Sequence, residues 1–234
     1  MGSSKKGGVA THCLIENEKF LVNIDGLDAT EVVPHACSGI TVYNALEQIG
    51  FLRDGEWLAV MGCGGLGLNA IAIAGAMGFD NIIGIDIDNS KLDAAREMGA
   101  SKTLNSKSAN AVAELQKYSE SRLMAVIDTF GGESTGQLAV RALAKSGQYL
   151  LVSQAGGEFK MPQVWLPQKA MIVRGSHVGN SPQLRKLIDM VRAGKLKQMP
   201  IERRQLYEIN QAVEDLEQGR VTGRIVFQPD QGKL

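Results

Sequence analysis

The sequence predicts a doubly wound α/β protein built on a six-stranded parallel sheet, and three observations lead there. Apolar runs of three to six residues alternate with helix-length stretches through the middle of the chain, the pattern of strands buried on both faces by crossover helices. The first run, Trp57-Leu58-Ala59-Val60-Met61, leads straight into Gly62-Cys63-Gly64-Gly65-Leu66-Gly67 and then a helix-like Leu68 to Met77. The second, Asn81-Ile82-Ile83-Gly84-Ile85-Asp86, ends in an acid nineteen positions beyond Gly67. Strand, glycine turn, helix, strand and acid make one βαβ unit.

The remaining elements follow in order. Ser90 is placed to cap a helix through Leu92, Ala95 and Met98, which Gly99 terminates. Lys102-Thr103-Leu104 supplies a short third strand and Ala109 to Tyr118 the next helix. Leu123-Met124-Ala125-Val126-Ile127-Asp128 reads as a fully buried fourth strand, with a Gly131-Gly132 break and a helix from Ser134 to Ala144 behind it. Tyr149 to Val152 and Ala170 to Val173 are the fifth and sixth runs. Pro182 opens a helix whose Leu184, Leu187, Ile188 and Val191 share one face, and Gly194 stops it. Val9 to Ile24 and Arg224 to Phe227 read as strands outside this alternation, able to pair in a second, incomplete β layer. Glu31 to Ile49 between the first of them and the sheet has helical periodicity.

The glycine turn carries the first chemistry. Gly62 lets the chain turn sharply out of its strand, Gly64 lets a pyrophosphate approach the backbone, and Gly67 lets the helix pack closely on the sheet. The N–H groups of Gly65 and Leu66 then face phosphate oxygens at the positive end of the helix dipole. Asp86 can accept hydrogen bonds from ribose hydroxyls and would repel a 2′-phosphate, so NAD is expected rather than NADP.

Composition excludes other classes. Lys+Arg 25 against Asp+Glu 25 gives no net charge, and the basic residues are dispersed, so the electrostatic footprint of a nucleic-acid binder is missing. No apolar run approaches the ~20 residues of a membrane span, and Met1-Gly2-Ser3-Ser4-Lys5-Lys6 lacks the apolar core of a secretory signal. Three scattered cysteines, Cys13, Cys37 and Cys63, suit a reducing compartment rather than a disulfide framework. The expected location is the cytoplasm.

With these residues placed, the chain resembles the coenzyme-binding domain of the zinc-dependent, medium-chain alcohol dehydrogenase family. The likeness runs from Gly7-Gly8-Val9-Ala10 to Gly223-Arg224-Ile225-Val226. It rests on Cys37-Ser38-Gly39-Ile40-Thr41-Val42-Tyr43, the glycine turn, Gly84-Ile85-Asp86-Ile87 with Lys91, and Gly175-Ser176-His177-Val178-Gly179. The resemblance implies that Lys91 assists Asp86 at the adenosine ribose and that Arg224 pairs with the pyrophosphate. It implies that Thr41 and Val152 lie against the nicotinamide ring, with backbone groups near Gln154, Ser176 and Val178 holding the carboxamide. Cys37 matches a ligand of the family's catalytic zinc, which needs three protein ligands and one open position.

The family's other two zinc ligands and most of its substrate site belong to an N-terminal domain that this chain largely lacks. His35 reads as a packing or helix-start residue, and His12 and Cys13, adjacent in an expected strand, would face opposite ways. His177 reads as part of the end of the sixth strand. The resemblance thus implies residues 1–28 as a remnant of the catalytic domain, 29–193 as the NAD-binding domain with its connecting helix, and 194–234 as a helix and strand returning to that remnant. Two functions remain open: a truncated NAD-dependent alcohol dehydrogenase that converts an alcohol to an aldehyde or ketone, and an NAD(H)-binding module without chemistry, such as a redox sensor or partner subunit. A zinc-free reductase of the same superfamily is disfavoured by Cys37 and Asp86. The resemblance also implies a homodimer through the edge strand around Met171 to Ser176 and the loop Met161 to Pro167, where Trp165 is either an anchor or a core residue.

Overall fold

The computed structural model describes residues 10, 12–154, 156–158 and 160–228. Helix α1 (Ala29–Val32) begins at Asp28, whose carboxylate accepts from Thr30 N at 2.8 Å. A 3-10 turn over Val33–Ala36 follows, then α2 (Ser38–Ile49). The continuous helical stretch expected from Glu31 is therefore broken: Pro34 cannot donate to a helical ladder, and Cys37 leaves helical geometry at φ −129°, ψ −72°. The chain then alternates through β1 (Trp57–Met61), α3 (Gly65–Ala76), β2 (Ile82–Asp86), α4 (Asn89–Met98), β3 (Lys102–Asn105) and α5 (Ala111–Tyr118). It continues through β4 (Leu123–Asp128), α6 (Glu133–Ala142), β5 (Gln148–Leu151), α7 (Trp165–Lys169), β6 (Ile172–Gly175) and α8 (Ser181–Arg192). A last unit comprises β7 (Ile201–Gln205), α9 (Ile209–Glu217) and β8 (Arg224–Gln228).

Six strands form one parallel sheet in the order β3-β2-β1-β4-β5-β6. The order reverses between β1 and β4, and the crevice beyond the carboxyl ends of strands at such a point is where doubly wound sheets bind ligands. All five β1 residues are buried: Leu58 and Val60 pack with α2 and α3, while Trp57, Ala59 and Met61 pack with the layer of α5 and α6. Each large apolar side chain so buried contributes about 1.5–3 kcal/mol. In β4, Asp128 is fully buried; its Oδ1 accepts from Phe130 N and Gly131 N, and its Oδ2 accepts from the Tyr149 hydroxyl at 2.9 Å.

Several expectations need correcting. No described residue between Val9 and Ile24 is in a strand, Val9 and Thr11 lying outside the described residues; the segment holds one 3-10 turn, Glu18–Phe20, started by the Asn17 side chain accepting from Lys19 N. The opposite-face argument for His12 and Cys13 therefore has no strand to stand on. Arg224 to Phe227 is a strand as expected, but β8 pairs in parallel with β7, not with the N-terminal segment. The cap of α4 is Asp88, whose carboxylate accepts from both the amide and the hydroxyl of Ser90. The sixth strand starts two residues later than expected because α7 ends at Ala170 in a left-handed turn (φ 48°), leaving Met171 as a buried connector. Trp165 is half-buried against its own domain's core, with Lys169 Nζ 5.9 Å from its ring. Among the described residues, no helix is long and apolar enough to cross a membrane.

Candidate functional site: a phosphate cradle at the switch point

The turn after β1 shows why its glycines sit where they do. Gly62 has φ +84°, and a Cβ there would come within 2.7 Å of Thr129 Oγ1, which donates to Met61 O and Gly62 O across the β1/β4 crevice. A Cβ on Gly67 would lie 1.7 Å from Gly62 O, so only glycine lets α3 start this close to its strand. Gly64 is different: an added Cβ meets nothing within 4 Å. Its φ of −77° suits any residue, so the open space above it, not the backbone, is what a side chain would take. Gly64 supplies no side chain to cap α3, and the first helical bond is Leu68 N to Gly64 O. The opening N–H groups of α3 thus face that space without intrahelical partners.

Arg224 reaches the same place from the other end of the chain. Gly223 (φ +86°) packs so closely on Pro200 that a Cβ would sit 2.0 Å from its carbonyl, and a Cβ on Gly65 would sit 2.4 Å from Gly223 O and 2.6 Å from Arg224 Nε. Two glycines placed back to back therefore bring β8 against the first turn of α3. Arg224 Nε is buried without a hydrogen-bond partner among the described residues. Burial holds the guanidinium below its ordinary value. A partly buried cation at a helix N-terminus, with an open glycine beside it, has the electrostatics of an anion site.

Asp86, at the end of β2, is oriented before any ligand arrives. Its Oδ2 accepts from Cys63 N at 2.7 Å, and its Oδ1 accepts from Ile87 N at 2.7 Å and Asp88 N at 3.0 Å. Lys91 is on α4, close enough for its charge to act on Cys63 and Asp88. Ile87 and Phe130, both more than half exposed, flank this end of the sheet. Ile87 also borders an open groove of about 640 Å³ between α5 and α6, with Ser108, Asn110, Thr135 and Arg141 on its walls. Sequence reasoning did not single out either apolar side chain as a site residue, because an exposed apolar residue is indistinguishable from a core one until the fold is known.

The expected ring-side residues converge from three elements. Thr41 is buried on α2 with its hydroxyl donating to Cys37 O at 2.7 Å, and Val152 is buried just past β5. Gln154 Nε2 meets His177 Nδ1 at 3.1 Å, joining the loops that follow β5 and β6. His177 thus lies just beyond β6. Ser176 N donates to Leu151 O at 2.9 Å, and Val178 sits at φ +44°. A β-branched residue in that region is strained by about 1–3 kcal/mol, a cost usually met at functional loops.

Donor chemistry sets what the described residues could offer a metal. Cys37 is exposed at the start of α2. His35 turns the other way, 5% exposed, with its Nδ1 against Gly39. Burial lowers its pKa to about 4, so it remains a neutral core residue. Among the described residues no three His, Cys, Asp or Glu side chains gather as a metal would need. Cys37 alone does not fit a catalytic zinc site.

The cysteines separate sharply. Cys63 is fully buried under the turn, and burial followed by the Asp86 charge pushes its thiol up to about 12. Cys13 and Cys37 are exposed. At pH 8 an aromatic disulfide reagent should therefore titrate two thiols in the native protein and the third only in denaturant. Three fast thiols would mean that the turn opens on the experimental timescale.

Sheet order, switch point and glycine turn define a Rossmann-type α/β unit. Residues 65–193 match the zinc-binding dehydrogenase family model, and the chain belongs to that family. An NAD-dependent alcohol dehydrogenase of Sulfurisphaera tokodaii is 34% identical over 98% of this chain, and one of Saccharolobus solfataricus is 32% identical over 98%. The chain spans 66% of the length of each. Among solved structures, the alcohol dehydrogenase of the archaeon Aeropyrum pernix is similar with a TM-score of 0.80 and 29% identity, over 85% of this chain and 58% of that one. An acetophenone reductase of Geotrichum candidum, solved in complex with NAD, gives 0.77 and 25% over 87% and 57%.

Proposed function

We propose that this chain binds NAD(H) and forms the coenzyme-binding part of an alcohol dehydrogenase interconverting an alcohol with its aldehyde or ketone. The observation that carries the reading is Arg224, a partly buried guanidinium whose buried Nε has no partner among the described residues, held against the uncapped N-terminus of α3 beside open Gly64. In this reading Gly62, Gly64, Gly65, Leu66, Gly67 and Arg224 hold the pyrophosphate, and Asp86 with Lys91 holds the adenosine ribose. Ile87 and Phe130 shield the adenine. Thr41 and Val152 bound the nicotinamide ring, while backbone groups near Gln154, Ser176 and Val178 hold its carboxamide. The bound coenzyme supplies the hydride acceptor; the chain's own residues bind it, orient the ring and exclude water.

The working domains are 1–28, 29–193 and 194–234, with a homodimer through the exposed edge strand β6 and a cytoplasmic setting. Zinc belongs to this reading only through Cys37. The incomplete donor set supports a second reading, an NAD(H)-binding module without chemistry. Elemental analysis separates the two: about one tightly held zinc per chain favours the enzyme, and none favours the module.

Fluorescence titration with NADH and NADPH tests the shared core of both readings, and failure of NADH to bind would sink them together. Arg224→Ala should weaken NADH and ADP-ribose alike by roughly 10–100-fold, the worth of a charge-assisted hydrogen bond. Tm should hold or rise, because a buried Nε–H without a partner costs stability. Unchanged affinity would remove Arg224 from the site.

A further inference from the structure

The segment from Ser176 to Asn180, between β6 and α8, is clamped onto α2 by a chain of amides that runs through one side chain. Gln183, in the first turn of α8, is 8% exposed and uses both ends of its amide. Its Oε1 accepts from Asn180 N at 2.9 Å, while its own N–H is accepted by Asn180 Oδ1 at 2.9 Å, which closes the N-terminus of the helix. Its Nε2 donates to Asn44 Oδ1 at 3.0 Å and Glu47 Oε2 at 2.8 Å, both on α2. Asn44 Nδ2 in turn donates to Ser176 Oγ at 3.3 Å, beside a second bond to it from Gln48 Nε2 at 2.9 Å. Glu47 is held from its other oxygen by Lys186 Nζ at 3.0 Å.

The clamp leaves little slack. A Cβ on Gly179 would sit 2.8 Å from Gln183 Oε1 and 2.9 Å from Ile40 O, so the loop is pressed directly onto both the amide and α2. Val178, at φ +44°, lies inside the clamped span. A strained β-branched residue keeps such a conformation only where its surroundings over-determine it. A capping box asks for glutamine or glutamate at this position; what this glutamine adds is a buried amide nitrogen that donates onward to α2.

We infer that Gln183 is a positioning residue that sets the Ser176–Val178 backbone, where the carboxamide of a nicotinamide is read, by tying it to the helix that carries Thr41. The inference rests on the proposed NAD(H) site and concerns only its nicotinamide end. Because the groups proposed for the pyrophosphate and ribose lie at the start of α3 and on β2, α4 and β8, Gln183 acts on one half of the ligand.

That division sets the test. Calorimetric titrations with NADH and with ADP-ribose, which lacks the nicotinamide, are run on the wild-type chain, Gln183→Met and Asn44→Ala. Gln183→Met keeps the length and removes the amide. Asn44→Ala cuts the relay from Gln183 to Ser176, leaving the Gln48 bond and the cap of α8 in place, and it decides alone if the first variant does not fold. Gln183→Met breaks three side-chain hydrogen bonds and Asn44→Ala two; both should lose NADH affinity by roughly tenfold, with ADP-ribose affinity within about twofold of wild type. A parallel fall for both ligands would reduce Gln183 to a structural residue and overturn the inference. So would no fall in either, or a wild-type chain that binds NADH no better than ADP-ribose. A wild-type chain that binds neither ligand overturns the NAD(H) reading itself, and this inference with it.

Discussion

Gly64→Val should abolish NADH binding, lowering affinity by more than about 100-fold, while leaving the fold in place. The two halves of that expectation come from one geometric fact. A Cβ at Gly64 meets no atom within 4 Å, and the φ of −77° and ψ of −168° suit a β-branched residue. The unliganded chain therefore loses only the modest difference between glycine and valine at a helix cap, about 1 kcal/mol, or about 2–4 °C in Tm for a protein of this size. The space the isopropyl group fills is the space between the α3 amides and Arg224. A pyrophosphate displaced outward by even an ångström or two loses both its N–H donors and its cation. Gly67→Ala cannot serve in its place, since a Cβ 1.7 Å from Gly62 O would break the packing of α3 on β1 and confuse lost binding with lost fold. Thermal melts and NADH titrations on Gly64→Val check both halves. Retained affinity would mean that the turn is a packing device with no ligand above it.

What could be read from the sequence follows burial. Strands β1 and β4 are found where Trp57 to Met61 and Leu123 to Asp128 predict them, because strands covered on both faces are continuous apolar runs with sharp ends. The edge strand β6 is shifted, since Ile172 and Val173 are about 40% exposed and its ends carry no such contrast. Strand β7 was missed altogether. Its sequence, Ile-Glu-Arg-Arg-Gln, looks like a solvated loop; the structure shows Arg204 held between Glu202 and Asp215, so its charges are partnered rather than free. The N-terminal strand failed for the opposite reason: Leu14, Phe20 and Leu21 are apolar enough to suggest a strand, yet they are exposed and nothing pairs with them among the described residues.

The site divides in the same way. Gly62, Gly64, Gly67 and Asp86 lie in two local segments whose spacing can be read along the chain. Arg224 is 157 positions beyond Gly67, and its approach depends on Gly65 and Gly223 having no side chains where they meet. No local pattern encodes that meeting, and only the family resemblance pointed to it. Gln183 and Asn44 are farther still from legibility, because a buried amide relay between two helices has no periodicity.

Asp86→Ser should erase the preference for NADH over NADPH that the proposed site sets. The carboxylate is a fixed negative charge: three backbone N–H groups, from Cys63, Ile87 and Asp88, hold both its oxygens. A 2′-phosphate brought to about 4 Å from it is repelled by about 1–4 kcal/mol at effective dielectrics between those of water and a protein surface, a preference of roughly 5- to 1000-fold. Removing the carboxylate removes that repulsion and leaves Lys91 on α4 to attract the phosphate. NADH should weaken by about 10–100-fold through its lost charge-assisted ribose bonds. The same change strips three N–H groups of their acceptor, so a stability loss of about 1–3 kcal/mol accompanies it, and a Tm measurement must be paired with every affinity. Asp86→Asn separates the two effects. One amide oxygen can still accept from two of those N–H groups, while the amide nitrogen must face the third, so part of the turn is retained with the charge gone. If charge sets the choice, Asn and Ser relax selectivity to a similar degree and differ in Tm. If both variants still reject NADPH as strongly as the wild type, steric closure around the ribose, and not the Asp86 charge, governs the coenzyme.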